Sequence, residues 1–306
     1  MARILITGGT GFVGSEIRKA LADRELRLLV RDPLSVRDAG AAEVVRGDVL
    51  DPASLEPAMA GVDAVIHLVA IIEETGKLTF DRVIRQGSEN VVSTARNAGV
   101  RRFVQMSALG AQPNPTYPYL NAKWAAEQAV RESGLDWTIV RPSVIFGPRD
   151  GFVNVLAGLI RRAPVIPVVG SGESKFQPVA VGEVAAVYRS VLDDPTAIGQ
   201  IYELGGGETY SYEEMLDVIA AQLGKRKPKV HIPIGLMRTV VSLSAPLPKS
   251  LRPPVTKEQL NMLALDNCTD QSATAALIGR QPIALRDGLE YLSQARPEKG
   301  LADRPL

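Results

Sequence analysis

Ile4-Leu5-Ile6-Thr7-Gly8-Gly9-Thr10-Gly11-Phe12-Val13-Gly14 stands near the start of a 306-residue chain, an apolar run feeding a glycine-rich turn that a helical pattern continues. A parallel strand buried on both faces reads as a continuous aliphatic run rather than an alternating one. Gly8 allows a tight strand-to-helix turn, Gly11 lets backbone approach a pyrophosphate, and Gly14 lets the helix pack close to the strand. The N–H groups of the helix's first turn then face phosphate oxygens. Thr7, Gly8, Gly9, Thr10, Gly11, Phe12, Val13 and Gly14 are therefore the predicted dinucleotide cradle. With 27 glycines in the chain the spacing alone would mean little; its place directly behind a strand makes it specific.

Outward from this stretch the pattern alternates. Strand-like runs fall at Arg3 to Thr7, Arg27 to Val30, Glu43 to Arg46, Ala64 to Leu68, Phe103 to Met106 and Trp137 to Arg141. Helical patterns lie between them, near Val13 to Ala22, Ser54 to Ala60, Phe80 to Ala98 and Asn121 to Ser133. Such βαβα order predicts an α/β fold, a doubly wound parallel sheet with helices on both faces. Ligands of such sheets sit at the carboxyl ends of the strands. After Gly147-Pro148 the alternation breaks, and prolines punctuate Ala163 to Pro167 and Pro178-Val179. A helix at Glu183 to Leu192, a strand at Gln200 to Leu204 and a helix at Tyr212 to Leu223 follow. Residues 1–150 with about 177–205 are expected to form the nucleotide-binding domain. About 151–176 and 206–306 would form a smaller, mostly helical substrate or partner region, with the tail from Pro297 frayed.

The charge balance of 35 Lys plus Arg against 34 Asp plus Glu gives no basic excess for nucleic acid. A single cysteine, Cys268, excludes an internal disulfide framework and reads as a small core residue. The apolar start is only a few residues long and enters the glycine turn at once, so no signal peptide is expected there. No apolar stretch approaches the ~20 residues that span a bilayer. A cytoplasmic location is the expectation. Two histidines, His67 and His231, are too few and too far apart for a metal site, and His67 within an apolar strand reads as a packed, hydrogen-bonded core residue.

Residues just after the strands carry the candidate chemistry. Arg31 follows the second strand, where an acidic residue would grip the ribose hydroxyls of NAD, and an arginine there suits a 2′-phosphate. NADP(H) is thus preferred, with NAD(H) left open because the adjacent Asp32 can accept from a ribose hydroxyl. Asp48 follows the third strand and reads either as an adenine contact or as a turn carboxylate, with Val49 beside it. Val69 and Ala70 end the fourth strand and offer small apolar contacts. Tyr119 and Lys123, four apart, share one helix face. The ammonium would stabilise tyrosinate and lower a phenol pKa of about 10, making Tyr119 a proton donor or acceptor for a substrate oxygen. Ser107, directly after the fifth strand, would orient that oxygen. Lys123 would also hold the nicotinamide ribose.

These residues, with Arg141-Pro142-Ser143-Val144-Ile145-Phe146-Gly147-Pro148, resemble the short-chain dehydrogenase/reductase superfamily and imply a Rossmann-type fold. The last run is similar to the sixth-strand signature of its extended subclass, which implies that Pro142, Ser143 and Val144 lie against the nicotinamide. Met106 to Ala111 and Lys175 to Val179 resemble the atypical, epimerase/dehydratase-like branch related to the nucleotide-binding accessory subunit of respiratory complex I. The chain departs from nucleotide-sugar enzymes of the superfamily. Ile84-Arg85-Gln86-Gly87-Ser88 stands where they carry Asn-x-x-Gly-Thr, Ser107 and Tyr119 are only twelve apart, and Val181-Gly182-Glu183-Val184 replaces a paired-aspartate version.

Three function classes stay open on these grounds. One is an oxidoreductase moving hydride between nicotinamide and a carbonyl or alcohol of an apolar or quinone-related substrate. The others are a cofactor-holding structural or assembly protein of a respiratory complex, and a nucleotide-sugar epimerase or dehydratase. The apolar segment Ile232 to Leu243, with Arg238, Lys249 and Arg252 around it, reads as a lid, as a membrane or partner-subunit contact extending over 232–252, or as a core helix of the second region.

Overall fold

The computed structural model describes residues 2–244, 253 and 255–294. In chain order the principal elements are β1 (Arg3–Thr7), α1 (Phe12–Ala20), β2 (Glu25–Val30), β3 (Glu43–Arg46), α2 (Pro52–Met59), β4 (Ala64–His67), α3 (Gly87–Asn97), β5 (Arg102–Met106), α4 (Pro118–Arg131) and β6 (Asp136–Pro142). There follow α5 (Val153–Arg162), α6 (Val181–Asp193), β7 (Gln200–Leu204), α7 (Tyr212–Gln222), α8 (Ile234–Ser244) and α9 (Lys257–Leu263). The chain divides into two compact units. The first takes residues up to Ser143, Val181–Gly205 and Thr269–Pro282; the second takes Val144–Ala180 and the described residues of Gly206–Cys268 and from Ile283 onward.

In the first unit seven strands form one sheet in the order β7-β6-β5-β4-β1-β2-β3, every pair parallel. Parallel neighbours need crossover connections, and helices supply them on both faces. On one face Leu5, Leu29, Leu55, Met59, Val65, Val91, Phe103 and Ile139 make a continuous core under α2 and α3. On the other, α1 packs against α6. The strand order reverses beside β1, between β2 and β4, which makes the carboxyl ends of these strands the topological switch point of a Rossmann-type fold. α4 begins at Pro118, earlier than the pattern at Asn121, because proline is well tolerated at the first helical position. The long helical pattern from Phe80 resolves into a π-helical turn over Asp81–Gln86 and then α3.

Residues 269–282, assigned by pattern to the second region, pack in the first unit instead. Ala273 N–H donates to the Glu203 carbonyl at 2.9 Å, and Gly205 N–H donates to Ser272 Oγ at 3.0 Å. Their short helix, Thr274–Ile278, lies on α6. These bonds satisfy backbone groups at the edge strand β7, a demand that periodicity does not register.

The second unit holds α5 and α7 around Phe146, Val153, Leu156, Ile160, Phe176, Met215, Leu216 and Leu285. Three two-stranded pairs accompany them: 145–146 with 179–180, 175–176 with 210–211, and 166–169 with 229–232. Buried Asp150 starts α5, its carboxylate accepting from Phe152 N–H at 2.8 Å, Val153 N–H at 2.6 Å and the Tyr291 hydroxyl at 3.0 Å. A capping box of Ser211 and Glu214 starts α7.

α8 is not a core helix, for Ser244 is its only buried residue. Cys268 is half-buried rather than in the core. Lys249, Arg252 and the tail from Pro297 lie outside the described residues. Among the described residues no helix is long and apolar enough to cross a membrane.

Candidate active site

Of the cofactor-binding and catalytic candidates, all but Val144 belong to the first unit, and most stand at or just beyond the carboxyl ends of its strands. The glycine turn is closed by Gly11 N–H donating to the Gly8 carbonyl at 3.1 Å, with Gly8 at φ +74°. A Cβ on Gly14 would stand 2.3 Å from the Gly8 oxygen and 2.6 Å from Gly9 Cα. Gly14 therefore lets α1 pack closely on the turn that leaves β1. Gly11 caps α1 without any side-chain hydrogen bond, and the first turn holds no acidic residue. Thr10 and Gly11 are exposed, while Phe12 and Val13 are half-buried. An uncapped helix end of this kind carries partial positive charge and outward N–H groups, so it fits a pyrophosphate.

The Thr7 side chain is committed elsewhere. Its hydroxyl lies 2.6 Å from His67 Nδ1, and His67 Nε2 lies 3.1 Å from Ser88 Oγ, all three residues fully buried. Burial, helped by the Lys123 charge, pushes the imidazole down to about 3, so His67 is neutral and divides donor and acceptor roles between the two hydroxyls. This chain of bonds ties β1 to β4 and to α3 directly beneath the glycine turn.

On the adenosine side, Arg31 is exposed at the end of β2 and forms no ion pair among the described residues. Asp32 caps a short 3-10 turn, accepting from Leu34 N–H at 3.0 Å. Asp48 Oδ1 accepts from Leu50 N–H at 2.9 Å while the Asp48 N–H donates to Ser54 Oγ, so the carboxylate serves as a turn former. Val49 is buried against Gly87, and its carbonyl accepts from Asn90 Nδ2 at 2.9 Å. Val69 is half-buried beside the glycine turn, its nitrogen 3.3 Å from where a Gly8 Cβ would stand, and Ala70 is exposed.

Ser107 follows β5, its N–H donating to the Val140 carbonyl at 2.8 Å. The residue is 3% exposed and its hydroxyl has no hydrogen-bond partner among the described residues. One residue back, the Met106 carbonyl accepts from Lys123 Nζ at 3.0 Å. That bond pins the second turn of α4 to the end of β5. Lys123 Nζ also lies 5.9 Å from the centroid of the Tyr119 ring. The ring meets Phe80 edge-on at 5.7 Å and packs on the cluster of Phe80, Ile84, Ala122 and Ala126. The expected lowering of the phenol pKa is absent: burial pushes Tyr119 up to about 12. Lys123 is itself brought down to about 8 by burial, partly opposed by Glu127. Desolvation disfavours both charged forms, raising the phenol and lowering the amine.

Beyond these, sequence reasoning missed an ion pair that supports Lys123. Glu127, fully buried, is gripped by Arg141 from β6 at 2.8 and 2.6 Å through two nitrogens. Tyr119, Lys123 and Glu127 recur every fourth residue on α4, which was the available signal. Pro142 and Ser143 end β6, where the Pro142 carbonyl accepts from Leu109 N–H and Ser143 N–H donates to Leu204. Val144 N–H donates to Asn267 Oδ1 within the second unit.

Residues 8–161 match a family described as NAD(P)H-binding. A mitochondrial NADH dehydrogenase [ubiquinone] 1 alpha subcomplex subunit 9 of Arabidopsis thaliana is 27% identical over 285 residues, covering 88% of this chain and 71% of that protein. A ceramide reductase of Caulobacter vibrioides is 32% identical over 237 residues, 75% of this chain and 73% of its own length. Among solved structures, an NADPH-dependent quinone oxidoreductase of Escherichia coli, QOR2, shares the fold with a TM-score of 0.76 at 21% identity, over 95% of this chain and 99% of that one. With the parallel sheet, the glycine turn and these relationships together, the chain belongs to the family described as NAD(P)H-binding, and it is similar over most of its length to a complex I subunit.

Proposed function

We propose that the protein is an NADP(H)-preferring oxidoreductase acting on a carbonyl or alcohol of an apolar, quinone-related substrate. The observation that carries this reading is the Ser107 hydroxyl, buried and unpartnered one residue from the carbonyl that holds Lys123. An unsatisfied buried hydroxyl costs roughly 1–3 kcal/mol, which a substrate oxygen would offset. The 32% identical relative, a reductase of a lipid substrate by its name, supports the choice of an apolar carbonyl. The exposed Arg31, with the Asp32 carboxylate turned to Leu34, supports a 2′-phosphate.

The nicotinamide, when bound, supplies the hydride. Ser107 donates a hydrogen bond to the substrate oxygen and so fixes its direction. Tyr119, protonated throughout neutral pH because of its burial, gives its phenolic proton to that oxygen. Lys123 remains charged below about pH 8 and stabilises the tyrosinate left behind. Glu127 holds that ammonium in the charged form.

The test is NADPH oxidation against a panel of quinones and apolar ketones. Tyr119→Phe is expected to lower kcat by roughly 10²–10⁴ with cofactor affinity unchanged. Full turnover by that variant would remove the mechanism. A second reading, a cofactor-holding assembly protein, draws support from the match to a complex I subunit over 88% of this chain. Tight, slowly exchanging NADP(H) with no turnover on any panel member would favour it.

A further inference from the structure

A parallel strand buried on both faces takes aliphatic and aromatic side chains, and β5 departs from that rule at Gln105. The residue stands between Val104 and Met106 and is 1% exposed. Its Nε2 donates a long bond of 3.4 Å to the Met106 carbonyl, the same oxygen that accepts from Lys123 Nζ at 3.0 Å. The amide of Gln105 and the ammonium of Lys123 therefore meet at one carbonyl. The other end of the amide, Oε1, is buried and has no hydrogen-bond partner among the described residues. An unmade buried hydrogen bond destabilises a fold, so packing alone gives no reason for a glutamine at this position.

The neighbours on its face narrow the choice of donor. Residues paired in a sheet share a face, and Gln105 is paired with His67 of β4 and Ile139 of β6. Ile139 has no polar side-chain atom, and both ring nitrogens of His67 are engaged, by Thr7 and Ser88. Two residues on, Ser107 offers a single hydroxyl. Lys123 offers more. Its ammonium carries three donors, is buried at 2% exposed, and has one hydrogen-bond acceptor among the described residues, the Met106 carbonyl. A buried ammonium with donors to spare and a buried amide oxygen without a donor thus stand around one atom. The charged groups nearby do not supply the missing bond. Glu127 is held by two Arg141 nitrogens, His67 is neutral and Tyr119 is protonated. On the π-helical turn and α3, Arg85 pairs with Asp81 and Glu89 near the surface.

We propose that Gln105 is a positioning residue for Lys123: its Oε1 accepts a second ammonium N–H, directly or through one buried water, and so fixes the ammonium beside the Tyr119 ring. The terminal torsion of a glutamine is soft, and the Met106 carbonyl keeps its bond to Lys123 while the amide turns. Glu127 then supplies the ammonium with opposite charge, and Gln105 supplies its direction. The inference deepens the proposed function and rests on it for what the ammonium does; the hydrogen bond itself is measurable without turnover.

The experiment is titration of the Lys123 ammonium in the full chain, followed by NMR of isotope-labelled lysine and assigned with Lys123→Arg. The parent, with a midpoint of about pH 8, is compared with Gln105→Leu and Gln105→Glu. Loss of the acceptor in Gln105→Leu is expected to lower the midpoint by about one pH unit. Gln105→Glu, which sets a carboxylate there, is expected to raise it by about as much. A packing role would change melting without shifts of opposite sign. In NADPH oxidation the alkaline limb of kcat should move in the same two directions, with kcat at about pH 6 within roughly twofold of the parent. Gln105→Met takes the place of Gln105→Leu if that variant does not fold. An unchanged midpoint on loss of the acceptor overturns the proposal, as does a shift of the same sign in the Leu and Glu variants. So does a crystal structure with bound NADP(H) in which Ser107 Oγ, and neither Lys123 nor a water on it, donates to Oε1. If the midpoints shift as expected while no panel substrate turns over, the oxidoreductase reading fails and the positioning role stands.

Discussion

The turn from β1 into α1 and the helix α8 are both apolar, glycine-bearing stretches, and the structure treats them oppositely. At the turn, Ile4 to Thr7 are fully enclosed and a single Cβ on Gly14 would collide with the Gly8 backbone. On α8, three aliphatic side chains stand in the open. Hydrophobicity is the same signal in both places. What differs is whether the fold itself supplies the neighbour, and where it does not, the surplus points outward to something else.

Gly14→Ala should break the first side of this contrast most severely. It forces a Cβ into backbone that cannot yield, with an expected loss of roughly 3 kcal/mol in urea unfolding and of measurable cofactor binding. A variant as stable as the parent and still binding NADPH would show that the turn has room.

The His67 network beneath the turn gives the next largest effect. The imidazole takes up protons near 6.5 when unfolded but only near 3 when folded. Between those values the unfolded state binds more protons, so stability falls as pH falls, by about 1.4 kcal/mol per pH unit in the steep part of the window. Above about pH 6.5 the contribution is fully present. His67→Gln should flatten the acid limb of the stability profile, and an unchanged slope would assign it to other groups.

Arg31→Ala should weaken NADPH binding by roughly tenfold or more, an estimate scaled to one charge-assisted phosphate contact, and leave NADH untouched in fluorescence titration. Equal losses for both cofactors would place the guanidinium away from the 2′-phosphate. The smallest effect is expected on the other side of the comparison. Leu236→Ser/Val240→Ser/Leu243→Ser on α8, at three exposed positions, should unfold within about 0.5 kcal/mol of the parent. A large destabilisation would mean that the stripe is part of the core after all.

Much of the first unit was legible from the sequence. The strand at Arg3–Thr7 was read to the residue, and β3 and β7 likewise, because buried parallel strands carry their signal in consecutive aliphatic residues. Other ends moved by a few residues, as where Pro118 let α4 start early. The segment 269–282 was misassigned because what holds it is backbone pairing with Glu203 and Gly205, for which no residue type is diagnostic. At the site, Tyr119 and Lys123 were legible as a helix face, but the sign of the phenol's shift was not. That sign depends on how much water the folded chain removes from around the ring, which packs on Phe80, Ile84, Ala122 and Ala126.

The sequence by itself determined that a glycine turn follows a central strand, that the sheet is parallel and doubly wound, and which hydroxyl, phenol and amine recur at the ends of its strands. These follow from local geometry: a left-handed turn, a two-sided burial pattern and a helical period. Only the tertiary structure decided that the Ser107 hydroxyl is left without a partner, that the Lys123 ammonium rests on the Met106 carbonyl with Glu127 and Arg141 behind it, and that α8 buries one apolar face and exposes the other. Each of these is a balance between desolvation and contact, set by atoms far apart in the chain.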